Sequence, residues 1–374
     1  MFLFSKNKRS YLGVDVGSTN VKMVELGSVD RKAVLKNFGF AERKQSHRNL
    51  TDGETFVNES AKIIKSVYSQ SGFETKYVVA ALHNFDVFTS VINLPSTQES
   101  QLASSIQAEA RKFVPILLED VILDWKVLNK VNDKKAKGRE SDKKNKNEKF
   151  AENMNGGSGI DVLLTAAPRK LVKRYLDIFQ AADLNLLSLE TESFALIRAL
   201  LDSHEMSSIM ILNIGSVSTD VIIVEQQIPV VIRTVDVGGN FITQAIARNL
   251  GISEDRAEQF KRDVGIYSDG GGDSSNSALN QIVEASFSTL INEIKYSLEL
   301  YKTRNRVIEK IILSGGSALL SGLADFFKTV FNLPVFIGDP WYKVSYPSAL
   351  QESLKELGPT YATVVGLALK EIIE

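Results

Sequence analysis

The chain writes one short hairpin twice. Asp15-Val16-Gly17-Ser18-Thr19 lies between the apolar runs Tyr11–Val14 and Val21–Leu26; Asn213-Ile214-Gly215-Ser216-Val217-Ser218 lies between Ile209–Leu212 and Asp220–Val224. In each copy two strands meet at a turn of glycine and small hydroxyl residues. Backbone N–H groups exposed in such a turn form a concavity that attracts anions. Two such turns, 198 residues apart, predict two halves of one chain gripping a polyphosphate from opposite sides. The copies differ at their first residue, a carboxylate at 15 and an amide at 213.

The surrounding pattern repeats as well. Strands are expected at Tyr11–Val16, Val21–Leu26 and Ala33–Phe40, followed by a helix carrying Val57, Ala61, Ile64 and Val67 at helical spacing. The second set has strands at Ser208–Ile214, Asp220–Glu225 and Val230–Val235, then a helix over Phe241–Leu250. Strand, strand, strand, helix therefore occurs twice, an internal duplication. A third glycine turn, Ser314-Gly315-Gly316-Ser317, closes a strand over Val307–Leu313, and a helix is expected over Tyr361–Ile373. Between the halves lie strands at Val78–Leu82, Val87–Leu94, Val121–Leu128, Ile160–Ala166 and Leu184–Leu189, with helices at Gln98–Phe113 and Pro168–Ala182.

Composition limits the chemistry. The 374 residues include no cysteine, which removes disulfides, thiolate metal sites and a cysteine nucleophile. The three histidines, His47, His83 and His204, have no close pairing in sequence, so a histidine metal site is not expected and each is read as a surface or core-edge residue. A net charge of −1 gives no general attraction to nucleic acid. No apolar run is long enough for a membrane span. The first nine residues place apolar before basic side chains, the wrong order for a signal peptide, and are read as a frayed terminus. From Asn129 to Gly159 apolar residues nearly vanish, and residues 130–149 hold nine Lys or Arg against four Asp or Glu. This segment is expected to be a disordered, solvated loop.

A duplicated hairpin sheet with glycine turns resembles the actin-like ATPase superfamily, an α/β fold of two lobes around a nucleotide cleft. Within it, Ile92-Asn93-Leu94-Pro95, Glu109 to Pro115, Leu123-Asp124-Trp125, Leu189 to Leu196, Val237 to Thr243, Ala257 to Lys261 and Tyr361-Ala362 with Gly366 to Leu369 resemble the PilM family of type IV pilus assembly proteins. The resemblance implies a first lobe over 1–78, an inserted subdomain of the type shared with the division protein FtsA over 79–185, the first lobe again over 186–205, a second lobe over 206–345 and a returning C-terminal helix over 346–374.

It also implies ligands: ATP and Mg²⁺. Asp15 is implied beside the metal, since a hard cation keeps several waters and needs few carboxylates. Gly17, Ser18, Thr19 and Lys22 are implied at the phosphates, with Gly215 and Ser216 facing them from the second turn. Gly238, Gly239, Glu258, Lys261, Gly315, Gly316 and Ser317 are implied around the nucleotide; Glu258 and Lys261, three apart on one helix face, point the same way. Glu192 falls where polymerising relatives keep a catalytic Glu or Gln, implying a water-positioning role. Asn213 stands where the superfamily usually has Asp. An amide carries no charge and takes no proton, and losing a positioned base costs roughly 10²–10⁴-fold. The expectation is therefore a cytosolic ATP-binding scaffold with at most weak ATPase activity. It would be held at the inner face of the membrane by the short tail of a PilN-like protein and by other pilus-assembly components. Self-association is left open. The tail's groove is placed near Phe113, Val114, Pro115, Ile116 and Trp125, for which core packing is the competing explanation. The alternatives are an FtsA-like division protein, disfavoured by a C-terminus that ends soon and acidic, and a small-molecule kinase, for which Asp236 is the obvious candidate base.

Overall fold

The computed structural model describes residues 9–30, 32–43, 53–95, 99–130, 159–265, 274–302 and 306–373. The expectations for the first eight residues, and for most of 129–159 as a disordered loop, lie outside them; at its ends the loop expectation is corrected, because Asn129 and Lys130 pair in β6 and Gly159 in β7. In chain order the strands are β1 (Ser10–Val16), β2 (Asn20–Val29), β3 (Lys32–Glu42), β4 (Tyr77–Leu82), β5 (Phe88–Pro95), β6 (Val121–Lys130), β7 (Gly159–Pro168), β8 (Asn185–Thr191), β9 (Ile209–Ile214), β10 (Thr219–Glu225), β11 (Ile228–Val235), β12 (Lys310–Ser314), β13 (Val335–Ile337) and β14 (Val344–Ser345). The helices are α1 (Gly53–Ser71), α2 (Glu99–Phe113), α3 (Arg169–Ala181), α4 (Glu192–Leu200), α5 (Gly239–Leu250), α6 (Glu254–Val264), α7 (Ser274–Lys302), α8 (Leu323–Phe331) and α9 (Gln351–Ile373).

Two compact units result. The larger holds residues up to Asn84 and again from Arg174, and carries two sheets. One has the order β14-β3-β2-β1-β4-β8, the other β11-β10-β9-β12-β13. Each begins with an antiparallel three-stranded meander (β1-β2-β3; β9-β10-β11) and is extended by parallel strands on the side of its first strand. The duplication read from sequence is thus a duplication of topology. The central strands are buried on both faces, with Ile209 to Leu212 and Val221 to Ile223 fully covered, which is why they read as unbroken apolar runs rather than alternating ones.

α4 lies between the sheets. Its Ala195 packs with Val79 and Ala81 of β4 and Leu367 of α9, while Leu196, Ile197 and Leu200 pack with Ile209, Ile211, Ile222 and Ile312 of the second sheet. α9 starts ten residues before the expected Tyr361, and Pro359 lies inside it. A proline has no N–H to give to the helix. The carbonyl of Pro359 accepts from the Gly315 amide at 2.9 Å and the Ser314 hydroxyl at 3.2 Å, so the helix is bonded to the third glycine turn.

The smaller unit, Phe85–Lys173, is a three-stranded sheet of order β5-β7-β6 with α2, around a core of Ile92, Leu94, Ile106, Val162 and Leu164. It is narrower than the expected 79–185, because β4 and β8 pair with each other in the six-stranded sheet. β14 likewise joins β3 of the first sheet, so the return to that lobe begins at Val344 rather than 346.

Candidate functional site

The two repeated turns meet. Thr19 Oγ1 and Ser216 Oγ are 2.9 Å apart although 197 residues separate them. In the first hairpin Asp15 pairs across the ladder with Lys22; in the second, Asn213 pairs with Asp220. Residues directly opposite in an antiparallel pair share a face. Both lobes therefore present a carboxylate at the same level of the hairpin, from the first strand in one copy and from the second strand in the other.

The second turn is braced by its neighbours. The amides of Gly239 and Asn240, at the start of α5, donate to the Gly215 and Ser216 carbonyls at 2.9 and 2.8 Å. A Cβ on Gly238 would stand 2.7 Å from both carbonyls, so only glycine fits. In this structure the second hairpin turn itself makes that close approach to Gly238 and Gly239. Ser317 Oγ donates to the Gly215 carbonyl at 3.4 Å. Gly315, with φ of 84°, takes the left-handed backbone that turns β12 back under Ile214. Gly215, Ser216, Gly238, Gly239, Gly315, Gly316 and Ser317 are therefore gathered around one point. Glu258 and Lys261 join them. Lys261 Nζ, buried, donates to Glu258 Oε2 at 2.6 Å, to Thr243 Oγ1 at 2.9 Å and to the Gly239 carbonyl at 3.1 Å. Burial alone would raise the Glu258 carboxyl, but hydrogen bonds from Lys261, Thr243 and Arg262 outweigh it and bring it to about 2.

The first lobe supplies the charged floor. Asp15 at the end of β1 is buried, and its Oδ2 lies 3.8 Å from Lys22 Nζ. Its Oδ1 is buried without a hydrogen-bond partner. Burial raises the Asp15 carboxyl above its ordinary range, and the Lys22 charge draws it partly back. Glu192, first residue of α4, is buried, with Oε1 3.0 Å from His83 Nδ1; His83 Nε2 is 3.1 Å from the Val16 carbonyl oxygen. Burial pushes Glu192 up, but the charge and hydrogen bond of His83 prevail and lower it. Asp220 is buried and held by Asn84 Nδ2 at 3.0 Å and Thr234 Oγ1 at 2.5 Å. Burial, reinforced by the charge of Glu192, lifts it to about 7.

Two site residues escaped the sequence reading. His83, read as a surface or core-edge residue, is buried beside Asp15 and Glu192, and one ligand atom from each of the three lies within 4.8 Å of the others. The reading of His83 as a surface or core-edge residue is corrected by its burial. Nothing in the spacing announced it, since the three arrive from the ends of separate elements. Asp220 did leave a signal. It follows Asn213 by seven residues, as Lys22 follows Asp15, so aligning the two copies places it at the ladder. The second lobe thus keeps a carboxylate despite Asn213. Asp236, on which a kinase reading rests, is exposed.

Two sheets, each opened by a three-stranded meander, with glycine turns facing one another between them, define an actin-like ATPase fold. A sequence model of the type IV pilus assembly protein PilM matches residues 13–140 and 147–372, and the chain belongs to that family. Among solved structures it is similar to the PilM-PilN type IV pilus biogenesis complex, with a TM-score of 0.76 and 24% identity over 97% of this chain and 98% of that one. It also resembles MreB 5 of Spiroplasma citri bound to AMPPNP (TM-score 0.53, 13% identity, 98% and 97% covered). The ethanolamine utilization protein EutJ from Carboxydothermus hydrogenoformans is similar too (TM-score 0.52, 14% identity, 96% and 90% covered).

Proposed function

We propose that this protein is an ATP-binding scaffold of the type IV pilus, or a type II secretion-like, inner-membrane assembly complex. In this reading it takes up the short cytoplasmic tail of a PilN-like membrane protein and hydrolyses ATP slowly or not at all. The observation that carries the nucleotide part is the meeting of the two hairpin turns at Thr19 and Ser216. Their Gly, Ser and Thr groups would hold the phosphates from both lobes, with Lys22 as a point charge, and Glu258 and Lys261 would lie toward the adenosine. The donor set suits Mg²⁺: the buried Asp15 Oδ1 lacks a partner, and one carboxylate beside phosphate oxygens and water is a usual environment for that ion. Bound there, it would neutralise phosphate charge.

Slow turnover follows from how the carboxylates are held. Both oxygens of Asp220 accept hydrogen bonds, and Glu192 is tied to His83, so neither is poised to order an attacking water. Calorimetry with Mg²⁺–ATP is expected to give one site per chain, and single-turnover assays a rate far below that of kinases. Asp220→Asn should leave both binding and the already low rate unchanged, and Asn213→Asp should raise the rate. Rapid turnover by the wild type would sink the scaffold reading.

For the tail, support comes from the likeness to the PilM-PilN complex and from the smaller unit. There Phe113, Ile116, Leu117, Ile122 and Trp125 are exposed, whereas Val114 is buried. Trp125→Ala is expected to weaken capture of a PilN-like tail peptide about tenfold or more, as for aromatic anchors generally, with ATP affinity unchanged. No helix among the described residues is long and apolar enough to cross a membrane, which accords with attachment through that partner at the inner membrane face. The exposed Asp236 lends a kinase no support.

A further inference from the structure

His83 sits between two hydrogen-bond acceptors. Its Nε2 faces the Val16 carbonyl oxygen at 3.1 Å, which can only accept, so the proton belongs on Nε2. Nδ1 then turns a lone pair toward Glu192 Oε1 at 3.0 Å. A lone pair and a carboxylate oxygen at that distance call for a positive centre shared between them, a second proton or a metal ion. The nearby Asp15 adds a third buried ligand within 4.8 Å of both, and its Oδ1 has no hydrogen-bond partner. The Val16 carbonyl matches what metal-binding imidazoles use on their far nitrogen, an acceptor that fixes tautomer and ring orientation.

We propose that Asp15, His83 and Glu192 bind one divalent first-row transition ion directly, through two carboxylate oxygens and His83 Nδ1, in the absence of nucleotide. One imidazole among two carboxylates selects the class of ion. Mg²⁺ prefers oxygen ligands and water, whereas imidazole favours Zn²⁺, Co²⁺ and, more weakly, Mn²⁺. Lys22, 3.8 Å from Asp15 Oδ2, already neutralises part of that carboxylate's charge and so weakens its pull on an ion, which keeps the site moderate in affinity. The three residues come from the end of β1, the loop after β4 and the start of α4, all within the larger unit. The site goes beyond the nucleotide reading and does not need ATP to form.

The test uses the full chain, stripped with chelator and free of nucleotide. Titration with Mn²⁺ followed by electron paramagnetic resonance, and with Zn²⁺ by calorimetry, is expected to show one ion of either kind per chain. Zn²⁺ should bind tighter than Mn²⁺, and both at least about tenfold tighter than Mg²⁺. Bound Mn²⁺ should show hyperfine coupling to an imidazole nitrogen. His83→Gln, whose amide can still donate to the Val16 carbonyl, should weaken Zn²⁺ by more than about tenfold and abolish the coupling. Glu192→Gln should weaken it also. Absence of a stoichiometric ion in the wild type, absence of nitrogen coupling, or equal affinity in His83→Gln would each overturn the proposal. The wild-type coupling decides even if a variant fails to fold. ATP binding, measured separately, can fail while the ion binds, or hold while it does not.

Discussion

At the scale of single residues, the site is a set of buried charges arranged against one another. Asp220 is the clearest case. In the folded chain burial lifts its carboxyl to about 7, against 3.8 when exposed. Between those values the folded state holds a proton that the unfolded chain has lost, so stability falls as pH rises across this window. Asp220→Asn removes the titration. Urea unfolding at pH 5 and pH 8 is therefore expected to show the variant gaining on the wild type at the higher pH; a constant difference would contradict the assignment. How much of this was legible depends on the residue. The Gly, Ser and Thr turns and Asp15 announced themselves because a glycine turn after an apolar strand is a local pattern. Asp220 was readable only by laying one copy of the repeat over the other, since a lone Asp opening an apolar strand resembles any strand end. His83 was not readable, because its partners come from residues 15 and 192 and only folding brings them within reach.

At the scale of elements, the long apolar runs fixed most strands, and the departures occur where local punctuation competes with tertiary packing. Gly358 and Pro359 look like the start of a break, yet α9 runs through them. The proline's loss of an N–H is offset by its carbonyl bonding to the third glycine turn. β4 was assigned to the inserted unit by its place in the sequence, but its hydrogen bonds to β1 and β8 draw it into the first sheet. Helix contact is equally exacting at Gly366 in α9. A Cβ there would come within 1.9 Å of the Ala195 carbonyl oxygen in α4, and backbone cannot yield that distance. Gly366→Ala should therefore cost about 3 kcal/mol or more, at the top of the usual range for overpacking. Thermal unfolding would register it, and an unchanged midpoint would mean that α4 and α9 can slide apart.

At the scale of the whole larger unit, the two sheets are joined unequally. On one side α4 is packed between them, with Leu196, Ile197 and Leu200 fully engaged against β9 and β10. Half-buried Arg198 forks onto both oxygens of Glu190 at 2.7 Å and donates to the Gly366 carbonyl. At the facing turns, the contact is a pair of hydroxyls, Thr19 and Ser216, and beside them Asn84 donates to Asp220 of the second sheet at 3.0 Å. A neutral hydrogen bond of this kind contributes about 1 kcal/mol. Thr19→Ala is thus expected to shift unfolding of the ligand-free protein by no more than about 1.5 kcal/mol, and a larger loss would show that the turns hold the lobes together. The consequence is mechanical. The unit resembles a door hung on a stout hinge and held shut by a lighter latch of two hydrogen bonds, with the hinge keeping both leaves aligned. A guest that bridges the leaves would then act as the bolt.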